Sequence, residues 1–257
     1  MNIIKILGAY GGTDDGKATT SIQISEKVTI DAGNILNPLG YRARKIDHMF
    51  FTHSHYDHIV DLPFFIDAFF LEREEPLHLY GINHTIDVLK KHIFNSAICP
   101  DFNIIAQAGG KGPAIVFHEI EAGNEYAADS VRMTPFETNH IVKSVGYVIK
   151  KHGKKIMFTS DTYKCGKIWD ILNSDETITK LIIETSFPSA YEHLALASGH
   201  LTPKLLNEEL SHLKRTDVDI YICHIKPKHI DTIKKELRDF ERTKNAIVLD
   251  DGMEIEL

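Results

Sequence analysis

With 257 residues, 43% of them apolar and 25% charged, the chain has the composition of a folded globular protein, long enough to bury a large core without disulfide staples. Disordered, collagenous and low-complexity classes are excluded, and the longest apolar run, 59–71, is broken by Asp61, Pro63 and Asp67, short of the roughly 18 residues a membrane helix needs. Lys and Arg number 29 against 36 Asp and Glu, a net −7 that disfavours nucleic acid as a partner, while 15 histidines make metal chemistry the question to ask.

Residues 1–8 read as a strand, with no basic stretch leading into an apolar one, so a cytoplasmic location is the default expectation. Short β-rich runs then alternate with helical patterns without an internal repeat or a linker-like stretch, which predicts one α/β domain over 1–257. Strands are predicted over 3–7, 21–24, 27–30, 46–52, 77–80, 115–120, 131–137, 146–150, 155–159, 180–184, 218–223 and 246–249. Helices are predicted over 57–72, 85–94, 166–173, 204–213 and 232–242, the fourth with Thr202 as N-cap and Pro203 at its first position. Gly11 to Lys17 falls short of a phosphate loop, because Ala18 stands where Ser or Thr would hold magnesium and a strand follows. Gly109-Gly110-Lys111-Gly112-Pro113 reads as a plain loop. Cys99, Cys165 and Cys223 lack C-x-x-C spacing and are expected as reduced thiols, Cys223 packed on the face opposite His224. His48 lies within an apolar strand, while His78, His84, His92, His118, His152, His193, His212 and His229 show no ligand spacing; most are expected at the surface.

Four predicted strands run into loops bearing His53, His140, Asp161 and His224, and strand-end loops are where α/β proteins build sites. The densest is Thr52-His53-Ser54-His55-Tyr56-Asp57-His58. In extended backbone His53 and His55 project to the same side and can reach one ion. Asp57 and His58, on the turn into a helix, can hold a second ion beside it. A solvated polar turn is the plainer reading, but four metal-capable side chains in six positions argue against it.

This H-x-H-x-D-H segment resembles the metallo-β-lactamase superfamily of binuclear metal hydrolases. Further matching segments are Leu7-Gly8-Ala9-Tyr10-Gly11-Gly12, Thr29-Ile30-Asp31-Ala32-Gly33, Asn139-His140 with Gly146-Tyr147, Thr159-Ser160-Asp161-Thr162, and Cys223-His224. The resemblance implies an αβ/βα four-layer sandwich, with two mixed β-sheets face to face and helices outside. It also implies one metal on His53, His55 and His140, a second on Asp57, His58 and His224, Asp161 bridging, and Asp31 bracing the site from behind. Five imidazoles and two carboxylates without thiolate suit two divalent ions, Zn first, with Mn or Fe as alternatives. Superfamily members with redox iron carry Glu in place of the second His, so His55 points to hydrolysis.

A second stretch, Ile183-Glu184-Thr185-Ser186-Phe187-Pro188 with Ala197-Ser198-Gly199-His200-Leu201-Thr202-Pro203, is similar to the class II cyclic-nucleotide phosphodiesterases and, more distantly, to ribonuclease Z. Cleaving a phosphodiester requires protonating the departing alkoxide, which makes His200 the candidate general acid and Glu184 the carboxylate that orients it or a metal-bound imidazole. Their plainer readings are a loop residue ahead of a helix cap and an ordinary strand-end carboxylate. Thr202, at a helix start, is a candidate phosphate contact. Leu36, Phe187 and Tyr191, in the loops 34–44 and 187–196, are candidates for stacking on a base.

The leading expectation is hydrolysis of a 3′,5′-cyclic nucleotide, cAMP or cGMP, to the 5′-monophosphate. Ribonuclease Z-like RNA processing is the alternative. It is weakened by the negative charge and by the span from His140 to Asp161, only twenty residues, where bacterial and eukaryotic members carry a long arm that clamps transfer RNA. Other hydrolases of the fold share the first four motifs but give no reason for the 198–202 segment, and a metal-free sensor or scaffold conflicts with a fully occupied ligand set. The partners expected are a small phosphodiester and, by resemblance, a second copy of the chain, with no membrane.

Overall fold

Alternation of apolar side chains decides which strand faces are buried. In the computed structural model, which describes residues 3–107 and 112–257, the strands form two sheets of seven. One consists of β1 (Ile3–Gly8), β2 (Ser21–Gln23), β3 (Val28–Ile30), β4 (His48–Phe50), β5 (Leu77–Gly81), β6 (Ile115–Glu119) and β14 (Glu254–Glu256), in the order β14-β1-β2-β3-β4-β5-β6. The other consists of β7 (Tyr126–Ala128), β8 (Val131–Glu137), β9 (Val145–Lys151), β10 (Lys154–Phe158), β11 (Ile178–Glu184), β12 (Asp219–Cys223) and β13 (Ile247–Val248), in the order β13-β12-β11-β10-β9-β8-β7. Each sheet is antiparallel from one edge to its middle and parallel from there to the other edge.

The two sheets share one core. Ile6, Ile30 and Phe50 of the first pack with Met133, Tyr147, Ile149 and Phe158 of the second. The alternate residues Leu7, Met49, Phe51 and Leu79 turn outward and are covered by α1 (Leu36–Leu39) through Leu39 and by α3 (Leu62–Phe69) through Leu62, Phe65, Ile66 and Phe69, with α4 (Asn83–Val88) following β5. Outside the second sheet lie α5 (Gly166–Ser174), α7 (Pro203–Glu209) and α8 (Ile230–Asp239), through Trp169, Leu172, Leu205, Leu206, Ile233 and Leu237. The order helix, sheet, sheet, helix is the expected four-layer sandwich, and no helix among the described residues is long and apolar enough to cross a membrane.

Several local expectations are corrected. The helix expected over 57–72 is two, α2 (Tyr56–Ile59) and α3. Asp61 breaks it: its amide donates to Ala32 O (2.8 Å) and its carboxylate accepts the amides of Ile35 (2.7 Å) and Leu36 (3.0 Å), after which Pro63 opens the next helix. The loop expected over 187–196 holds a 3₁₀ turn, Ser189–Tyr191, and α6 (Glu192–Ser198), whose exposed Leu194 and Leu196 leave no buried stripe to betray it. The short strands β7 and β14 have no sequence signal either; Glu254–Glu256 carries one apolar residue, Ile255, and is a strand because it pairs with Ile4. Of the Gly109 to Pro113 loop, residues 109–111 lie outside the described residues. Lys17 is engaged by Asp250 at 2.8 Å, and Cys165 and Cys223 are buried free thiols while Cys99 is half-buried.

His78 and His118, among the histidines expected mostly at the surface, instead stand half-buried beside His48 on the inner face of β4, β5 and β6. His48 stacks on His78 with ring centroids 5.1 Å apart, His78 Nδ1 and His118 Nε2 are 2.8 Å apart, and His48 Nδ1 meets the Tyr80 hydroxyl at 3.2 Å. Strand register, invisible in a linear pattern, brings them together. Burial pushes all three pKa values down. The charge on His78 adds to this at His48 and His118; Asp47 and Asp129 oppose it at His48, and at His78 Asp47 and Glu75 oppose it while Arg73 adds to it. Folded values below the unfolded value of about 6.5 mean that this contribution to stability is complete above that pH and is lost as the pH falls further. Melting curves of the wild type and His118→Gln should therefore shift relative to each other in the variant's favour between about pH 7.5 and about pH 5.5; parallel curves would count against the stack as the cause.

Candidate metal centre

All seven acidic and imidazole side chains expected at the site lie along one edge of the sandwich, where strands end. Thr52 follows β4 and is tied down on both sides: its amide donates to Asp31 Oδ1 (2.9 Å) and its carbonyl accepts from Val145 (3.0 Å). His53 and His55 follow, and α2 carries Asp57 and His58. His140 comes from the loop after β8, Asp161 from the loop after β10, and His224 from the end of β12. Asp31, Ser160 and His224 take the left-handed backbone conformation, with φ of 56°, 57° and 59°. Each costs roughly 1–2 kcal/mol for a residue with a Cβ, strain of the kind that collects at functional sites.

The ligand atoms fall into two groups that meet at Asp161. His53, His55, His140 and Asp161 form one, and Asp57, His58 and His224 form the other. Asp161 Oδ2 is 3.6 Å from His53 Nε2 and 3.9 Å from His140 Nε2, while Oδ1 is 3.4 Å from His58 Nε2 and 3.3 Å from His224 Nε2. His55 Nδ1 lies 3.2 Å from His140 Nε2, and His224 Nε2 lies 3.3 Å from both His58 Nε2 and Asp57 Oδ2. Donors held at about 2.0–2.2 Å around a tetrahedral ion stand roughly 3.3–3.6 Å apart, so all of these spacings except the 3.9 Å from Asp161 to His140 lie close to the edges of a coordination polyhedron. His53 Nε2 and Asp161 Oδ1 are, moreover, buried without a hydrogen-bond partner, a costly state for polar atoms that a cation would relieve. The donor set fits divalent metal.

The carboxylates set the electrostatics. Burial holds His53 well below the ordinary imidazole range and lowers His55 and His140. Burial also opposes charge on His58, yet the Asp161 and Asp31 carboxylates outweigh it and raise its pKa well above the usual value. Desolvation likewise opposes charge on Asp161, but His224, His58 and His53 hold it well below the usual carboxylate range. Asp31 Oδ2 accepts from His58 Nδ1 at 2.7 Å and from the Thr52 hydroxyl at 2.8 Å, which leaves His58 Nε2 aimed at Asp161.

Where the two groups meet, His200 is buried beside the cluster, its ring 5.0 Å from His140 and 5.3 Å from His224. Its Nδ1 meets Glu184 Oε1 at 2.7 Å, and despite burial this carboxylate raises the His200 pKa. Glu184, fully buried at the end of β11, also accepts the amides of Thr162 (3.0 Å) and Leu201 (3.3 Å).

The expected substrate contacts fare unevenly. The Phe187 ring lies 5.8 Å from His200, within the site region. The Tyr191 ring packs on His229 at 5.4 Å and is half exposed. Thr202 requires a correction: it is fully buried, and its hydroxyl accepts from the Leu205 amide (3.3 Å) as the cap of α7, so it is closed to a substrate. Sequence reasoning passed over Thr52, Ser186 and Lys226. Thr52 and Ser186 each bond a carboxylate and an imidazole of the cluster; the Lys226 ammonium bonds Gly11 O and stands 4.0 Å from Asp57. The signal for each was adjacency, since all lie one or two residues from a ligand-type side chain.

Four similarities place this architecture. Over 126 residues the chain is 29% identical to ribonuclease Z of Pyrococcus abyssi, an alignment covering 49% of this chain and 38% of that protein. It is 25% identical over 236 residues to 3′,5′-cyclic-nucleotide phosphodiesterase 1 of Saccharomyces cerevisiae, covering 78% of this chain and 63% of the relative. The chain thus spans less than two thirds of the length of these curated relatives. The crystal structure of unliganded yeast PDE1 superposes with a TM-score of 0.83 over 99% of both chains at 19% identity, a likeness of fold. Residues 28–225 match the family described as the beta-lactamase superfamily domain, and on that match, with two mixed seven-stranded sheets between helices, the chain belongs to the metallo-β-lactamase superfamily.

Proposed function

We propose that residues 1–257 act as one domain that hydrolyses small phosphodiesters with two divalent metal ions, and that its substrate is a 3′,5′-cyclic nucleotide converted to the 5′-monophosphate. The observation that carries this reading is the buried Glu184–His200 pair, at 2.7 Å, set against the double cluster between His140 and His224. Ions held by His53, His55, His140 and Asp161 on one side and by Asp57, His58, His224 and Asp161 on the other would supply Lewis acidity toward the phosphoryl oxygens and a nucleophile from water at neutral pH. The protein's own part is positioning and proton transfer. Glu184 accepts the Nδ1 hydrogen of His200, leaving Nε2 to protonate the 3′ oxygen as it departs. Phe187, beside His200, supplies an apolar wall for the base. The likeness to yeast cyclic-nucleotide phosphodiesterase over 78% of this chain supports the substrate class.

Ribonuclease Z-like processing is the second reading, favoured by the match to the Pyrococcus enzyme. Against it, most of the span between His140 and Asp161 is the β9–β10 hairpin, with Lys151 and Lys154 paired across its turn, so an RNA-clamping arm has no place there. The deciding experiment compares Zn- or Mn-loaded protein on cyclic AMP, cyclic GMP and a 3′-extended transfer-RNA precursor. Production of 5′-monophosphate from a cyclic nucleotide with the precursor left intact is the expected outcome; cleavage of the precursor alone would replace the cyclic-nucleotide assignment.

Gly11 offers a structural test of the His224 side. A Cβ at this position would lie 2.6 Å from His224 Cε1 and 2.7 Å from Nδ1, too close for any side chain, whereas one at Gly12 would meet its nearest neighbour, Pro227 Cδ, at 3.6 Å. Gly11→Ala should displace the imidazole and weaken binding of the second ion by about tenfold or more, as seen when the supports of metal ligands are disturbed. Metal titration of Gly11→Ala beside Gly12→Ala reads this, and equal affinities in the two variants would contradict it.

A further inference from the structure

The parallel register pairs Glu184 of β11 with Cys223 of β12, so the chain leaves both strands side by side toward Ser186 and His224. Ser186 is fully buried and plays no part in the chemistry above. Its Oγ lies 2.9 Å from Glu184 Oε2, 3.0 Å from His224 Nδ1, 3.1 Å from His224 O and 3.2 Å from His200 Nδ1.

Counting hydrogens fixes the direction of these contacts. A carboxylate can only accept, and a hydroxyl has one hydrogen to give. Charge-assisted bonds are the stronger, so that hydrogen goes to Glu184 in preference to the neutral His224 carbonyl. Oγ is then an acceptor toward His224 Nδ1, which must carry its own hydrogen, so Nε2 is the nitrogen left to offer a lone pair to an ion. That is the atom 3.3 Å from Asp57, His58 and Asp161. Gly11 packs against the same Nδ1 edge, where even a methyl group would be 2.7 Å away. The other oxygen of Glu184 takes the Nδ1 hydrogen of His200.

We infer that Ser186 is a positioning residue: it selects the Nδ1–H tautomer of His224 and ties that side chain, through the shared Glu184 carboxylate, to His200. The inference rests on the proposed role of His224 as a metal ligand. It makes one buried carboxylate responsible both for the lone pair His224 presents to an ion and for the orientation of the proton donor. No other side chain contacts both Glu184 and His224 Nδ1 among the described residues.

Two measurements that need no substrate test it. In Zn²⁺-loaded protein, long-range ¹H–¹⁵N spectra should show wild-type His224 as a single Nδ1–H tautomer and Ser186→Ala with that form partly lost. Chelator competition should show Zn²⁺ bound about ten- to a hundredfold more weakly by Ser186→Ala. An unchanged tautomer with affinity within about twofold of wild type would overturn the inference, since the expected loss is larger. Should Ser186→Ala fail to melt cooperatively, Ser186→Cys, which keeps a weak donor and acceptor, should give an intermediate loss, and wild-type values there would overturn it equally. If Zn²⁺ affinity and tautomer respond as expected while no cyclic nucleotide is turned over, only the substrate assignment fails. If His224→Ala binds the full metal complement, the ligand reading itself is lost.

Discussion

Asp161→Ala is expected to lower phosphodiester turnover by at least about a thousandfold, roughly 4 kcal/mol of transition-state stabilisation, and to bind less than the full metal complement. The reason is geometric. One oxygen of Asp161 faces His53 and His140 and the other faces His58 and His224, at 3.3–3.9 Å, so a single carboxylate completes both donor groups. It also neutralises part of the charge of two ions, and the surrounding imidazoles cannot take over that task. Without metal the substitution still has a cost, because His58 would lose one of the two carboxylates that its ring nitrogens face. Metal content by mass spectrometry, measured with kcat/KM on the same preparations, checks the outcome. A variant with full metal content and activity within about tenfold of wild type would show that Asp161 does not bridge, since its loss should act on the transition state directly.

His200→Ala is expected to cost at least about a hundredfold in turnover while leaving metal content intact, the pattern of a lost proton donor. Glu184→Gln should cost less, since an amide can still contact Nδ1 but no longer offers a charged acceptor on both oxygens. The comparison matters because His200, His224 and Asp161 also present ligand-type atoms within reach of one ion. Loss of metal together with activity in His200→Ala would make His200 a ligand instead of a donor. A substrate with an activated leaving group, which departs without protonation, separates the cases further. Its hydrolysis should be nearly insensitive to His200→Ala if the side chain only delivers a proton.

The sequence by itself determined the features that depend on local geometry. Period-two spacing puts His53 and His55 on one side of an extended segment, and Asp57 with His58 on the turn after it, whatever the rest of the fold does. Thr202-Pro203 marks a helix start because capping involves neighbouring residues only, whereas the full burial that closes Thr202 to a phosphate comes from packing no local pattern shows. Alternating apolar runs supplied most of the strands and the layered architecture.

Tertiary structure alone decided what depends on register. Glu184, Ser186, His200 and His224 converge because β11 and β12 align Glu184 with Cys223, and the row of His48, His78 and His118 exists because β4, β5 and β6 align their inner faces. Asp61 ends a helix that the periodicity would have continued, because the amides of Ile35 and Leu36 compete for its carboxylate. In each case the deciding bond joins residues far apart in the chain, whose meeting is governed by loop closure and sheet pairing and leaves no mark in any short window of sequence.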